Sequence, residues 1–275
     1  MSAILLSTIR VEKPWGRHTL WPGFGDAARD EPPVGEIWFD TPPGKEPDLM
    51  IKYLFTSERL SIQVHPDDQA ARASGYARGK EEAWLILAAE PTSTIAIGTT
   101  RPVSHNALRA ACLDGSIETL MDWKPVKDGD FIYLPAGTIH AIGAGITLIE
   151  VQQNIDLTYR LYDYGRPREL HLEAGIAVSH PVPFVINDQS RILNSGRTIL
   201  TEGGKFAIER WQGNAPVHQV LGDSVAWFVP VRGVGTIGDA HWSAGQCWQV
   251  SGDVAITAAG NDADMLFAYT GPVRS

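Results

Sequence analysis

The stretch Gly129-Asp130-Phe131-Ile132-Tyr133-Leu134-Pro135-Ala136-Gly137-Thr138-Ile139-His140 reads as a complete turn, strand, turn and strand start. Gly129-Asp130 makes a turn and Phe131–Leu134 a short strand. Pro135-Ala136-Gly137 makes a tight turn, in which Gly137 permits the sharp bend. His140 then opens the next strand, into Ala141-Ile142. Two earlier segments carry groups of the same kind. Leu60-Ser61-Ile62-Gln63-Val64-His65 alternates like a strand. Successive side chains on a strand point to opposite faces, so Gln63 and His65 share one face and Ile62 and Val64 the other. Pro66 ends this strand because it has no N–H for the ladder. Gly79-Lys80-Glu81-Glu82 leads into the apolar run Ala83-Trp84-Leu85-Ile86-Leu87, with Glu82 at its mouth. Two histidines, a glutamate and a glutamine among aliphatic runs are enough for a metal site inside a β-barrel.

Strand signals dominate elsewhere too. Turn residues punctuate short apolar runs at Gly35–Asp40, Thr94–Gly98 and Phe131–Leu134, the spacing of a β-sandwich or barrel. Two stretches read as helix: Asp67–Ala77, after an Asp start, and Ser104–Trp123, from a capping-type Ser104 with a break near Asp114-Gly115. In the final third, Lys205–Trp211, Val225–Pro230, Gly233–Ile237 and Gly245–Val250 repeat the turn-and-strand pattern without the metal-type residues. The expected architecture is mainly β. A metal-binding unit spans residues 1–180, with a short helical insert at about 104–123, and a second, degenerate β-unit spans 181–275. The boundary falls near Ser179–Pro183, where Pro181 and Pro183 interrupt the pattern. Trp211, Trp227, Trp242 and Trp248 read as core or interface.

The run from Gly129 to His140, G-x5-P-x-G-x2-H, resembles the second half of the cupin signature. The first half departs from it: Gln63-Val64-His65 replaces H-x-H, the glutamate comes later, at Glu82, and Ala144 stands where an asparagine is expected. These departures point to one branch. Q-x-H-P-D, G-K-x-E-x-W, L-P-A-G-T-x-H-A and T-Y-R-x-Y-D-Y, in that order, resemble the short bacterial type I mannose-6-phosphate isomerases. The resemblance runs from about Val11, in Val11-Glu12-Lys13-Pro14-Trp15-Gly16, to about Glu173. It implies a cupin-type jelly roll, and Gln63, His65, Glu82 and His140 as ligands of one Zn²⁺ per chain. It also implies interconversion of mannose 6-phosphate and fructose 6-phosphate by proton transfer through a cis-enediol. The ligand types agree, since two imidazoles, a carboxylate and an amide oxygen suit a borderline divalent ion such as zinc. Mn²⁺, Fe²⁺ and Co²⁺ suit the same set. With one formally negative ligand, the ion keeps net positive charge and Lewis acidity.

Lys52, Lys80 and Arg160 match family positions associated with the active site, and Ser61 matches a family serine for phosphate. The resemblance thus implies Lys52, Ser61 and Arg160 for substrate binding, and Arg160 and Lys80 for catalysis. The planar fork of Arg160 suits a phosphate. Glu150 ends the apolar run Ile146–Ile149. A carboxylate inside a barrel beside a metal can act as base or hydrogen-bond partner. Lys80, Lys52, Gln63 and a metal-bound water compete for that role, with Asp156 and Asp67 as lesser candidates. Asp67 and Asp68 suit helix capping equally well. Each residue also has a plain reading, because a lone strand histidine is usually a core or surface residue and a lone cation a surface charge. That plain reading is kept for His18, His105, His171, His180, His218 and His241.

Composition sets the bounds. The chain has 275 residues and is 44% hydrophobic and 20% charged, ordinary for a globular protein with a substantial core. Its 23 basic and 32 acidic residues give a net charge of −9, which argues against nucleic acid and makes a local cationic cluster a site for a small anion. No apolar run of ~18 residues marks a membrane span, and the N-terminus lacks signal-peptide character. Cys112 and Cys247, with no Cys-x-x-Cys, fit a reduced compartment. The expectation is a cytoplasmic monomer or homodimer acting on a sugar phosphate. Two alternatives stand beside it. A non-catalytic sugar- or sugar-phosphate-binding regulatory cupin is disfavoured by the joint presence of Lys80, Glu82 and Arg160. A cupin dioxygenase is disfavoured by Gln63, because a 2-His-1-carboxylate iron site needs no amide.

Overall fold

The computed structural model describes residues 2–41, 47–194, 196–202, 204–214 and 217–271, with the backbone alone over 217–223. Strand alternation sorts the chain into layers. Along Leu49–Phe55, Ile51, Tyr53 and Phe55 face one way, and Lys52 and Leu54 the other. This strand belongs to a six-stranded antiparallel sheet. Its order is Ser7–Arg17, Val34–Asp40, Leu49–Phe55, Ile146–Gln153, Glu82–Ala89 and Phe131–Leu134. A five-stranded antiparallel sheet lies against it, in the order Tyr159–Tyr162, Ile62–Val64, His140–Ile142, Thr94–Thr99 and Met121–Pro125. The two meet through Leu54, Trp84, Ile86, Ile132 and Leu148 on one side and Ile95, Ile97 and Ile142 on the other. They form an open cupin-type sandwich, with the polar residues of the site between the sheets.

The outer face of the five-stranded sheet is as apolar as the inner one. Ile62, Val64, Ala141 and Leu161 pack beneath helices Asp68–Ala73, His105–Asp114, Ile117–Leu120 and Leu172–Val178. Ser104 caps the second helix by accepting from the Ala107 N–H, and Gly115 ends it in the left-handed region at φ 82°. The reading of helix to Trp123 needs correction, because Met121–Pro125 is the edge strand of the five-stranded sheet. The helix expected to reach Ala77 stops at Ala73, followed by Gly75 at φ 86°. Helix Leu172–Val178 went unread in the sequence.

The third sheet has nine strands. It runs Arg191–Asn194, Arg197–Thr201, Ala207–Gln212, Asp264–Tyr269, Val217–Arg232, Trp248–Ala258, Val234–Ile237 and Ala240–Ser243, with Ser2–Leu5 added to Trp248–Ala258. One face, with Phe206, Ile208, Trp227 and Leu266, packs on Ile37, Phe39, Tyr53 and Phe55 of the six-stranded sheet. The other curls around Trp211, Phe228, Trp242 and Phe267. Dividing the chain near residue 180 is our proposal. The N-terminal strand of the first unit pairs inside the second, and Val182 at the junction accepts from the Thr99 N–H at 3.0 Å.

Candidate metal centre and cavity

Strand pairing gathers the ligand-type residues. His140 lies opposite Gln63, and Gln63 opposite Arg160, in the five-stranded sheet. Glu82 opens its strand across from Leu134 and Gln152 in the facing sheet. The result is a buried triad. His65 Nε2 lies 3.3 Å and His140 Nε2 3.2 Å from the two Glu82 carboxylate oxygens. The ligand atoms of His65, Glu82 and His140 all fall within 4.8 Å of one another. Both rings are oriented from behind. His65 Nδ1 donates to the Leu157 carbonyl and His140 Nδ1 to the Thr138 carbonyl, each at 2.9 Å, which leaves both Nε2 lone pairs directed at Glu82. Metal-binding imidazoles are commonly held in this way.

The electrostatics fit a divalent ion. Glu82 is 1% exposed, and neither of its oxygens has a hydrogen bond of good geometry. Lys80 balances its charge, but with no well-aligned hydrogen bond both oxygens remain available to ligate an ion. Burial alone would raise its pKa, but Lys80, His65 and His140 outweigh that and hold it well below the usual carboxylate range. Burial, with Lys80 beside it, pushes His65 down to about 3, so the imidazole is neutral and able to ligate at physiological pH. Lys80 Nζ is 3.1 Å from Glu82 and 3.2 Å from His65 Nε2. The Gln63 amide touches His140 Nε2 at 3.3 Å and accepts from Ser61 Oγ at 3.2 Å. A half-turn of that amide directs its oxygen to the same centre. These side chains suit a metal cofactor.

A cavity of about 190 Å³ adjoins the triad. Lys13, Lys52, Lys80, Arg160 and Arg168 line it against Glu36, Glu150 and Asp156, five cationic groups to three acidic ones, so it favours an anion. Lys52 sits between Glu150 at 3.6 Å and Glu36 at 3.8 Å, with its ammonium 4.6 Å from the Trp38 ring centroid. Trp84 Nε1 donates to Glu150 at 3.1 Å and Trp38 Nε1 to Glu36 at 2.5 Å. Burial, then the nearby Glu82, raises the Glu150 carboxyl above its ordinary value. Burial lowers Lys80, but Glu82 and Glu150 more than reverse this, so it stays an ammonium. Arg160 donates from Nη1 to the Glu169 carbonyl at 2.8 Å, while its buried Nε has no protein partner.

Lys52, Ser61, Gln63, Lys80, Glu150 and Arg160 all line this cavity, beside His65, Glu82 and His140. Asp156 lines it as well. Asp67 does not: its side chain caps helix Asp68–Ala73 by accepting from the Ala70 N–H at 2.8 Å. Sequence reading missed Lys13, Glu36, Trp38, Thr158 and Arg168. The alternation of Glu36-Ile37-Trp38 was the available signal, since it puts Glu36 and Trp38 on one face. His105 bonds the Ser179 carbonyl at 3.0 Å, His171 accepts from the Arg160 N–H and His18 meets the Ala28 carbonyl. The His218 side chain lies outside the described residues. Cys112 and Cys247 are buried free thiols.

No family model matches the chain. Individual relatives do. The mannose-6-phosphate isomerase of Streptococcus mutans is 31% identical over 236 residues, covering 77% of this chain and 73% of that protein. The mannose-6-phosphate isomerase ManA of Bacillus subtilis is 38% identical over 189 residues, covering 62% of this chain and 58% of its own length. The chain belongs to the mannose-6-phosphate isomerase family. A crystal structure of the mannose 6-phosphate isomerase from Bacillus subtilis superposes with a TM-score of 0.84 at 25% identity, covering 98% of this chain and 100% of that one. A zinc-bound mannose 6-phosphate isomerase shares the fold, with a TM-score of 0.74 at 15% identity over 98% of this chain. The similarity of fold therefore extends over the last third of the chain as well, where the sequence offered no motif.

Proposed function

We propose that this chain is a zinc-dependent mannose-6-phosphate isomerase, an aldose–ketose isomerase that interconverts mannose 6-phosphate and fructose 6-phosphate. One observation carries the reading: the His65–Glu82–His140 triad opens beside a cavity in which Lys52, Lys80, Glu150 and Arg160 converge. Family membership and the names of the relatives support it. Gln63, His65, Glu82 and His140 would hold the zinc, which when bound supplies Lewis acidity toward the sugar oxygens.

The chain's own groups divide the remaining work. Arg160, with its partnerless Nε, and Ser61 hold the phosphate. Lys52 and Lys80 place positive charge where the enediol oxygens develop negative charge. Glu150 carries the proton from C2 to C1. It is the carboxylate of the cavity whose proton affinity burial raises, whereas Lys80 is held protonated by Glu82 and Glu150. Trp84 and Lys52 fix its two oxygens. No observation favours a non-catalytic regulatory role. Among the described residues no helix is long and apolar enough to cross a membrane.

The test is a coupled assay of mannose 6-phosphate conversion on metal-stripped protein, repeated with Zn²⁺ restored. Activity that disappears and returns is the expected result. Folded protein that rebinds zinc yet converts nothing would overturn the assignment.

A further inference from the structure

We propose that Asp68 and Gln153 are positioning residues that clamp the segment bearing Lys80 and Glu82, and that the second unit closes this clamp through Lys205. The proposal rests on the metal-site reading above. Just before the Glu82 strand begins, three consecutive backbone N–H groups are held by partners from other segments. Gly79 N–H donates to Asp68 Oδ1 at 2.8 Å, Lys80 N–H to the Pro66 carbonyl at 3.0 Å and Glu81 N–H to Gln153 Oε1 at 3.0 Å. Gln153 grips residue 81 from both sides, because its own N–H donates to the Glu81 carbonyl at 3.0 Å. Its Nε2 then donates to Asp68 Oδ1 at 3.1 Å. The other Asp68 oxygen accepts from Lys205 Nζ at 2.8 Å, across from the nine-stranded sheet's unit.

Asp68 therefore ties three segments: the one just after His65, the one carrying Lys80 and Glu82, and the end of the strand carrying Glu150. Capping does not explain it, since Asp67 does the capping. Neither Asp68 nor Gln153 lines the cavity, so they act by fixing backbone. Partners bonded directly to metal ligands commonly change affinity or activity by about 10–100-fold, and these two act one step further back, on the backbone that leads into Glu82. The Lys205–Asp68 pair is 38% and 22% exposed, so as an ion pair it adds little stability and its effect is on geometry.

The full chain, stripped of metal, is titrated with zinc in competition with a chromogenic chelator, and kcat and KM for mannose 6-phosphate are measured separately. Gln153→Met and Asp68→Ala are expected to weaken zinc binding by roughly 10-fold, the low end of that range, and to lower kcat more than they raise KM. Asp68→Asn, which keeps an acceptor oxygen, recovers most of the loss. Lys205→Met shifts both readouts the same way by less, and Lys205→Arg restores them. Folded Gln153→Met and Asp68→Ala with parental zinc affinity and kcat overturn the proposal, as does a loss confined to thermal stability. If Gln153→Met does not fold, the Asp68 and Lys205 variants decide by the same criteria. If the parent binds zinc but leaves mannose 6-phosphate unchanged, the functional reading fails while the affinity comparison still judges the clamp.

Discussion

Single side chains in this site are specified by what stands behind them. His140 is aimed by the Thr138 carbonyl and by its place opposite Gln63 in the ladder. We expect His140→Ala to lose bound metal and activity together. Stoichiometric zinc with full turnover in that variant would remove His140 from the ligand set. Arg160 plays a different part, because it touches no member of the triad and its Nε has no protein partner. Arg160→Ala is expected to keep its metal while kcat/KM on mannose 6-phosphate falls about 100-fold or more, the usual cost of removing a donor to developing or bound anionic charge. Unchanged kcat/KM with bound zinc would exclude it from the site. At this scale the sequence was legible where residue type and spacing coincide with a motif. Lys13 and Glu36 escaped because each is an ordinary surface-type charge in the sequence. Only pairing of Trp38 with Lys52, from strands joined by a long connection, brings Glu36 to Lys52.

The elements were legible to the extent that their burial has a period. Ile62 and Val64 against Gln63 show the two faces of a strand at once, whereas the stretch from Ala83 to Leu87, buried on both faces, reads only as an apolar run. Met121–Pro125 misled because it follows helix Ile117–Leu120 with no Gly or Pro breaker between them. Helix Leu172–Val178 was invisible because His171 makes no side-chain cap. The loop before Glu82 has its own constraint. A Cβ on Gly79 would lie 2.4 Å from the Asp67 carbonyl carbon and 2.5 Å from the Pro66 oxygen, both backbone atoms. Gly79→Ala should cost about 1–3 kcal/mol by overpacking and weaken zinc binding by shifting Lys80 and Glu82. Denaturant midpoints and metal titration check both effects. The same loop carries a pH signature. Burial raises the Asp68 carboxyl, but Lys205, the Gly79 N–H and Gln153 outweigh it and bring it from 3.8 to about 2. A carboxyl depressed on folding contributes stability that is present above its unfolded value and lost as pH falls through its folded value. The contribution of Asp68 should therefore fade between about pH 4 and 2. Asp68→Asn should flatten the fall of the denaturation midpoint in that window, and identical slopes would refute the linkage.

Across the whole molecule, the six-stranded sheet is the shared wall of two cores. Its inner face carries Lys52, Glu82 and Glu150 among Leu54, Trp84 and Ile86, and its outer face carries Ile37, Phe39, Tyr53 and Phe55 against Phe206, Ile208 and Trp227. The proposed division into two units was read from the sequence because each part repeats turn and strand. The sequence did not show that they share this wall, since apolar alternation states which face is buried but not against what. The arrangement gives the second unit a role in stability that does not require it to bind a ligand. A chain ending near residue 180 would expose a continuous apolar sheet face and remove the partner of strand Ser2–Leu5. Apolar faces of that extent drive association in water. We expect such a truncation to aggregate or to lose cooperative unfolding, and to bind zinc poorly. A milder cut at the same wall, Phe206→Ala, should cost about 3–5 kcal/mol as a large buried aromatic, read as a lower denaturation midpoint. A soluble, cooperatively folding 1–180 fragment with full isomerase activity would show that the first unit stands alone, and would assign the second unit some task other than covering this face.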